Sequence, residues 1–211
     1  MKPDIDRMMR RTWRYWYEDG LAEMAGGLIF LAIGLLFLFE AVSSPALWSA
    51  GLSSIGLPVV VIAGSWLASR VVGRLKSRLT YPRTGYVRYR RPRRRRAVRV
   101  AVSAGVTGAL VAFLLAMAPA SRAWIPTLQG VLIGTSFFYL GYTADLTRFY
   151  ILGALSVLVG VAASLVGLGD VSGSAAYFTG VGLALVGSGT CALRAYLRAT
   201  APLAEVEEHG Q

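Results

Sequence analysis

Apolar runs of about twenty residues, parted by clusters of charge, constrain this chain more than any other feature. Six are readable: residues 21–39, 55–72, 97–118, 124–142, 149–168 and 175–196. A helix of about 20 residues crosses a hydrocarbon core of roughly 30 Å. Lipid offers the backbone no hydrogen-bond partners, so each run must close its own bonds as a helix. Only 16% of the residues are charged, where a soluble domain carries about a quarter. Strand-like alternation is weak, which argues against a membrane β-barrel. The predicted fold is an all-α integral membrane protein, a bundle of about six transmembrane helices with an amphipathic N-terminal interfacial helix.

Basic residues set the expected orientation. Lys2, Arg7, Arg10, Arg11 and Arg14 precede the first run, and 13 more lie in residues 70–99. With six crossings, Arg148, Arg194 and Arg198 join them, and of 22 lysines and arginines Arg122 alone falls on the other side. Cytoplasmic loops carry that excess. Both ends are therefore expected in the cytoplasm, and the protein in the cell (plasma) membrane as a multi-pass chain. The expected divisions are a leader over 1–20, two spans within 21–72, a basic cytoplasmic loop over 73–96, four spans within 97–197 and a tail over 198–211. Ser44-Pro45 and Ser53-Ser54 are expected to bracket the first outer loop, Pro119 to end the third span, and Gly169-Asp170 and Gly173-Ser174 to mark the last turn.

At 100° per residue the leader places Ile5, Met8, Met9, Thr12, Trp13, Tyr15 and Trp16 on one face and Arg7, Arg10, Arg11 and Arg14 on the other. That pattern suits a helix lying flat in the interface. Its length and its acids make it unlike a cleaved signal sequence.

Glycines recur at intervals of seven: Gly20, Gly27, Gly34; Gly153, Gly160, Gly167; Gly173, Gly180, Gly187. Gly130 and Gly134 form a GxxxG pair. Small residues on one helix face let helices approach closely in lipid, so these positions are read as packing seams.

Few residues offer chemistry. The single Cys191 allows no internal disulfide, and the single His209 lies near the end. HExxH, Walker and GxSxG signatures are missing, so no catalytic residue, metal or cofactor is expected. The candidate intramembrane polar site comprises Asp19, Glu23, Gln129, Thr135 and Tyr139. Asp19 and Glu23 share a helix face, and their simpler reading is stabilisation of a helix N-terminus and pairing with neighbouring arginines. Thr135, Tyr139 and Tyr142 share a face of the fourth run, read as hydrogen-bonding glue ahead of a cavity lining. Asp145 and Arg148 read as a local surface pair.

The strongest binding signal is the basic loop, where Arg83, Arg88, Arg90, Arg91, Arg93, Arg94, Arg95 and Arg96 accumulate without an acid. Each arginine near an anionic leaflet is worth about 1 kcal/mol. Arginine with tyrosine also suits nucleic acid, but the bilayer is the nearer polyanion. The expected partners are anionic lipid headgroups, with a second copy of the chain or a membrane partner for assembly.

The segment Tyr81-Pro82-Arg83-Thr84-Gly85-Tyr86-Val87, together with Trp16-Tyr17-Glu18-Asp19-Gly20-Leu21 leading into a glycine-rich span, resembles uncharacterised prokaryotic multispan membrane proteins. The resemblance is best over the N-terminal half and implies no activity. The leading expectation is a non-catalytic membrane protein that binds anionic headgroups and scaffolds a partner. A small transporter or channel using Glu23 and the polar face of the fourth span is the alternative, and a lipid-modifying enzyme the third.

Overall fold

The structure, a computed structural model, describes residues 17–43, 47–77 and 119–199, with side chains for all of these except 47–54 and 119–121. Its elements are α1 (Leu21–Val42), α2 (Leu47–Leu75), α3 (Ile125–Ala144), α4 (Thr147–Leu165) and α5 (Asp170–Ala199), with a 3₁₀ turn, Pro119–Trp124, ahead of α3. Among the described residues five helices are long and apolar enough to cross a membrane. Residues 1–16 of the leader expected over 1–20, the arginines of 78–96, the third run at 97–118 and the tail from 200 lie outside the described residues.

Several expected boundaries move. α2 begins well before residue 55 and runs through Ser53 and Ser54, so the connection between α1 and α2 shortens to residues 43–46. Pro58 sits inside this helix, as bundle helices tolerate where neighbours or water re-satisfy the freed carbonyl. At its other end α2 continues through Leu75, and a π turn takes in Lys76 and Ser77. The segment assigned to a loop from 73 therefore begins as helix. α5 opens at Asp170, whose carboxylate accepts from the Val171 N–H at 2.9 Å. Gly173 and Ser174 belong to its first turns, and the connection is carried by Gly167 and Gly169, both at positive φ.

Glycine dictates the packing. α1 and α5 run antiparallel and form the most extensive contact of the bundle, followed by α3 with α4. A Cβ on Gly27 would lie 2.8 Å from the Gly182 carbonyl oxygen, and one on Gly34 2.5 Å from Thr179 Oγ1. Across the second pair, a Cβ on Gly134 would lie 2.8 Å from the Gly153 carbonyl oxygen and one on Gly160 would collide with the Pro126 carbonyl. Gly27, Gly34, Gly153 and Gly160 are thus seam residues. The third triplet divides: a Cβ on Gly173 would lie 2.7 Å from Pro126 Cγ, whereas among the described residues one on Gly187 would meet nothing within 4 Å and one on Gly180 only Val159, in ordinary contact at 3.4 Å. Gly167 sits in the turn after α4 with open space around it. The α5 glycines in the seam are Gly182 and Gly189, one register over. Between the helix pairs lies a core of Phe137, Phe149, Leu152, Tyr177, Val181 and Leu185, while α2 packs chiefly on α1.

This antiparallel order sorts the charges by end. The start of α1, the end of α2, the α3–α4 turn and the end of α5 share one end of the bundle. Arg70, Arg74, Lys76, Arg148, Arg194 and Arg198 belong to it, whereas Arg122 precedes α3 at the other.

Candidate functional site

The sequence before α1 bends sharply before it enters the helix. Gly20 takes the left-handed conformation, φ 70°, that L side chains rarely adopt. Its N–H donates to the Tyr17 carbonyl at 3.1 Å, and its backbone packs so closely on Gly189 that a Cβ would collide with that carbonyl. The bend turns Asp19 into the protein, where one carboxylate oxygen accepts from the Leu21 N–H at 3.3 Å. The other meets Lys76 Nζ at 2.9 Å, with side-chain exposures of 3% for the lysine and 1% for the aspartate. Burial pulls the Lys76 ammonium below the usual lysine range, and the Asp19 carboxylate opposes that pull.

One turn into α1, Glu23 is buried with no exposed side-chain surface, and Arg148 Nε from α4 stands 3.1 Å from its Oε2. Neither atom meets hydrogen-bond geometry, so their attraction is Coulombic, strengthened by the low surrounding dielectric. The guanidinium donates instead to the Tyr17 carbonyl. Ser188 of α5 lies beside the Glu23 carboxylate. The Tyr17 ring meets Phe149 edge-on at 5.4 Å between centroids, and burial pushes its phenol up from the usual tyrosine range. Two carboxylates and two cations thus tie α1 to α2, α4 and α5 at the end where the basic residues collect.

The other sequence candidates do not join this cluster. Gln129 belongs to the opposite half of the bundle, donating from Nε2 to Ser174 at 3.0 Å. There the Tyr177 hydroxyl lies 2.7 Å from Ser156 Oγ and donates to the Gln129 carbonyl, while Thr127 Oγ1 bonds Ser164 Oγ at 2.8 Å. These bonds link α3, α4 and α5, so the interhelical glue exists but is built from other residues. Thr135 turns its hydroxyl onto its own helix, at the Val131 carbonyl. Tyr139 is 62% exposed and Tyr142 equally so. Among the described residues that face of α3 looks outward, and neither Thr135 nor Tyr139 bridges to another helix. Arg148, expected beside Asp145 at the surface, is drawn inward by Glu23. The arginines from 83 to 96 lie outside the described residues.

The sequence missed Lys76 and Arg148 as partners of the two acids. The only signal was their rarity: Lys76 is one of two lysines, and Arg148 stands between two apolar runs. Each carboxylate faces a cation, and the four residues form a clamp at this end. Among the described residues no group of His, Cys, Asp and Glu could hold a metal ion, and the cleft described below is apolar with neither acid in its lining.

Set beside known proteins, the chain matches no family model, no curated protein and no solved structure. Function must therefore be argued from the bundle itself.

Proposed function

We propose a non-catalytic, six-span membrane protein that binds anionic lipid headgroups at its basic end through residues 83–96 and scaffolds a partner there. The observation that carries this reading is the one-ended charge. Buried Asp19 and Glu23 are paired inside the clamp with Lys76 and Arg148, and lysines and arginines far outnumber acids at that end of the sequence pattern. The arginine segment enters directly from Lys76, and no acid occurs between residues 70 and 99.

Six crossings with both termini cytoplasmic draw support from chain geometry. Ser77 stands at the clamp end, and Pro119 leads into the start of α3 at the opposite end, so the sequence between them must join the two faces. A positive-inside distribution makes the clamp end cytoplasmic. With Cys191 replaced by serine, cysteines introduced at Ser172 and Arg122 should react with an impermeant thiol reagent in intact cells, and one at Arg83 should not. Labelling at residue 83 from outside would reverse the orientation.

The headgroup reading predicts salt-sensitive binding. Full-length protein in neutral-lipid nanodiscs should capture vesicles containing phosphatidylglycerol and ignore pure phosphatidylcholine. Binding should weaken between 0.1 M and 1 M salt, as the screening length falls from about 10 Å to about 3 Å. Replacing Arg93, Arg94, Arg95 and Arg96 with glutamine should lower affinity by roughly two to three orders of magnitude, at about 1 kcal/mol per charge. Capture of both vesicle types alike would end the headgroup reading. Preference for nucleic acid at matched salt would end it as the main function.

Transport through Glu23 is the second reading, favoured by the burial of a carboxylate at the start of a membrane helix. Its pairing with Arg148 and the apolar packing around it weigh against it.

A further inference from the structure

Between α1 and α2 runs an open-sided cleft of about 250 Å³. Its floor is made of small residues, Ala25 and Ala32 from α1 and Gly64 and Ala68 from α2, and its rims are the exposed Leu28 and Leu67. No charged side chain lines it. The absence of bulk there is local: Ile29, on the same face of α1, reaches across to within 3.3 Å of where a Gly64 Cβ would stand.

The cleft has a direction. Along α2 it extends from Val60 to Val71, about 16 Å at 1.5 Å per residue. That is roughly one leaflet's share of a 30 Å hydrocarbon core. Val60, Gly64, Leu67 and Val71 follow steps of four, three and four, and one further step of three reaches Arg74. The stripe that lines the cleft therefore ends, one turn beyond its apolar part, in the exposed Arg74, which with the cleft set in one leaflet's hydrocarbon would reach headgroup height. Arg70 stands one turn before it with its guanidinium 4.0 Å over the Trp66 ring, an arrangement suited to the membrane interface. The buried acids nearby face inward, Asp19 to Lys76 and Glu23 to Arg148, so this rim of the cleft is cationic.

We propose that the cleft holds one acyl chain of an anionic phospholipid from the leaflet at the clamp end, with its phosphate at Arg74. An apolar slot of one-leaflet length capped by a positive charge favours that molecule over a zwitterionic lipid of equal chain length, whose choline offsets the charge of its phosphate. The site rests on the helices standing in a bilayer, and its lining residues named above come from α1 and α2.

Native mass spectrometry of the detergent-purified full chain, titrated with dioleoyl phosphatidylglycerol or dioleoyl phosphatidylcholine, tests this. One phosphatidylglycerol should be retained per chain in preference to phosphatidylcholine. Arg74→Gln should reduce that preference about fivefold, the worth of one interfacial charge, and leave phosphatidylcholine retention unchanged. Ala68→Phe and Ala25→Leu fill the cleft from opposite walls, and either, if folded by its thermal midpoint, should lose the retained lipid by tenfold or more. The variant with glutamine at Arg93, Arg94, Arg95 and Arg96 should keep it, so loss of headgroup binding by the loop and loss of this site give separate signals. Equal retention of the two lipids by the wild type, or wild-type retention in both filled variants, overturns the site.

Discussion

Arg148→Met should cost the folded bundle about 3–5 kcal/mol, the penalty for leaving a buried charge without its partner. Glu23 has no exposed side-chain surface and no cation other than Arg148 within ion-pair distance among the described residues. Removing the guanidinium also takes a charge-assisted donor from the Tyr17 carbonyl, which keeps the Gly20 N–H. The double variant Glu23→Gln, Arg148→Met should recover much of the loss, because replacing both members of a buried pair is far milder than removing one. Arg198→Met, at an exposed position on the same end, should shift stability by no more than about 0.5 kcal/mol. Unfolding of purified protein in detergent, analysed as a double-mutant cycle, reads all four states. Additive single changes, or an Arg148→Met midpoint equal to that of Arg198→Met, would show that water reaches the carboxylate. That result would revive the transport reading, since an accessible Glu23 is what a cation or proton path needs.

The acids of this clamp were legible in the sequence, and their partners were not. Hydropathy marks Glu23 as a charge inside an apolar run whatever the fold. Its counter-ion is chosen by helix packing, and Arg148 is equally well placed by sequence to pair with Asp145 one turn away. Desolvation decides the outcome: a buried carboxylate gains more from the cation than an exposed one does. The bend at residues 17–20 carried its own signal. Tyr17-Glu18-Asp19-Gly20 supplies a carbonyl for Arg148, an acid for Lys76 and the glycine that a positive φ requires. Only the acids could be read without knowing what they meet.

Span positions were legible because lipid punishes charge wherever it stands. Helix ends were less so. Ser53 and Ser54 resemble a turn, but serine can stay in a helix by bonding the carbonyl four residues back, and α2 runs through them. The polar face of α3 misled for a related reason. Thr135, Ser136 and Thr143 satisfy their hydroxyls on their own helix, so polarity there does not mark the inner face.

Gly182→Leu should destabilise the protein by about 3 kcal/mol or more, while Gly187→Leu should be nearly silent. α5 carries two glycine pairs seven residues apart, Gly180 with Gly187 and Gly182 with Gly189. The period alone says that each pair lies on one face. It does not say which face meets another helix, because a lipid-facing and a helix-facing surface are equally apolar. The partner surface decides. At Gly182 a Cβ would lie 2.9 Å from the Leu31 backbone nitrogen and 3.0 Å from the Gly27 carbonyl oxygen, neither of which is a side chain that can swing away. At Gly189 it would lie 2.8 Å from both the Gly20 carbonyl oxygen and the Met24 nitrogen. A leucine at either place has to part α1 from α5, and with them the junction that holds Glu23 beside Ser188. At Gly187 it would project into open space, where its better helix propensity offsets any small loss. Gly160→Leu should behave like Gly182→Leu, since its Cβ collides with the Pro126 carbonyl and sits 3.1 Å from Gly130 Cα. Tyr139→Phe should be silent, its ring already facing outward. Thermal unfolding in one detergent, with oligomeric state checked by light scattering, ranks the four. If Gly187→Leu proved as damaging as Gly182→Leu, the outer face of α5 would be covered by something beyond the described residues, be it residues 97–118, a second copy of the chain or another membrane partner, and the seam alone would not account for how this helix is held.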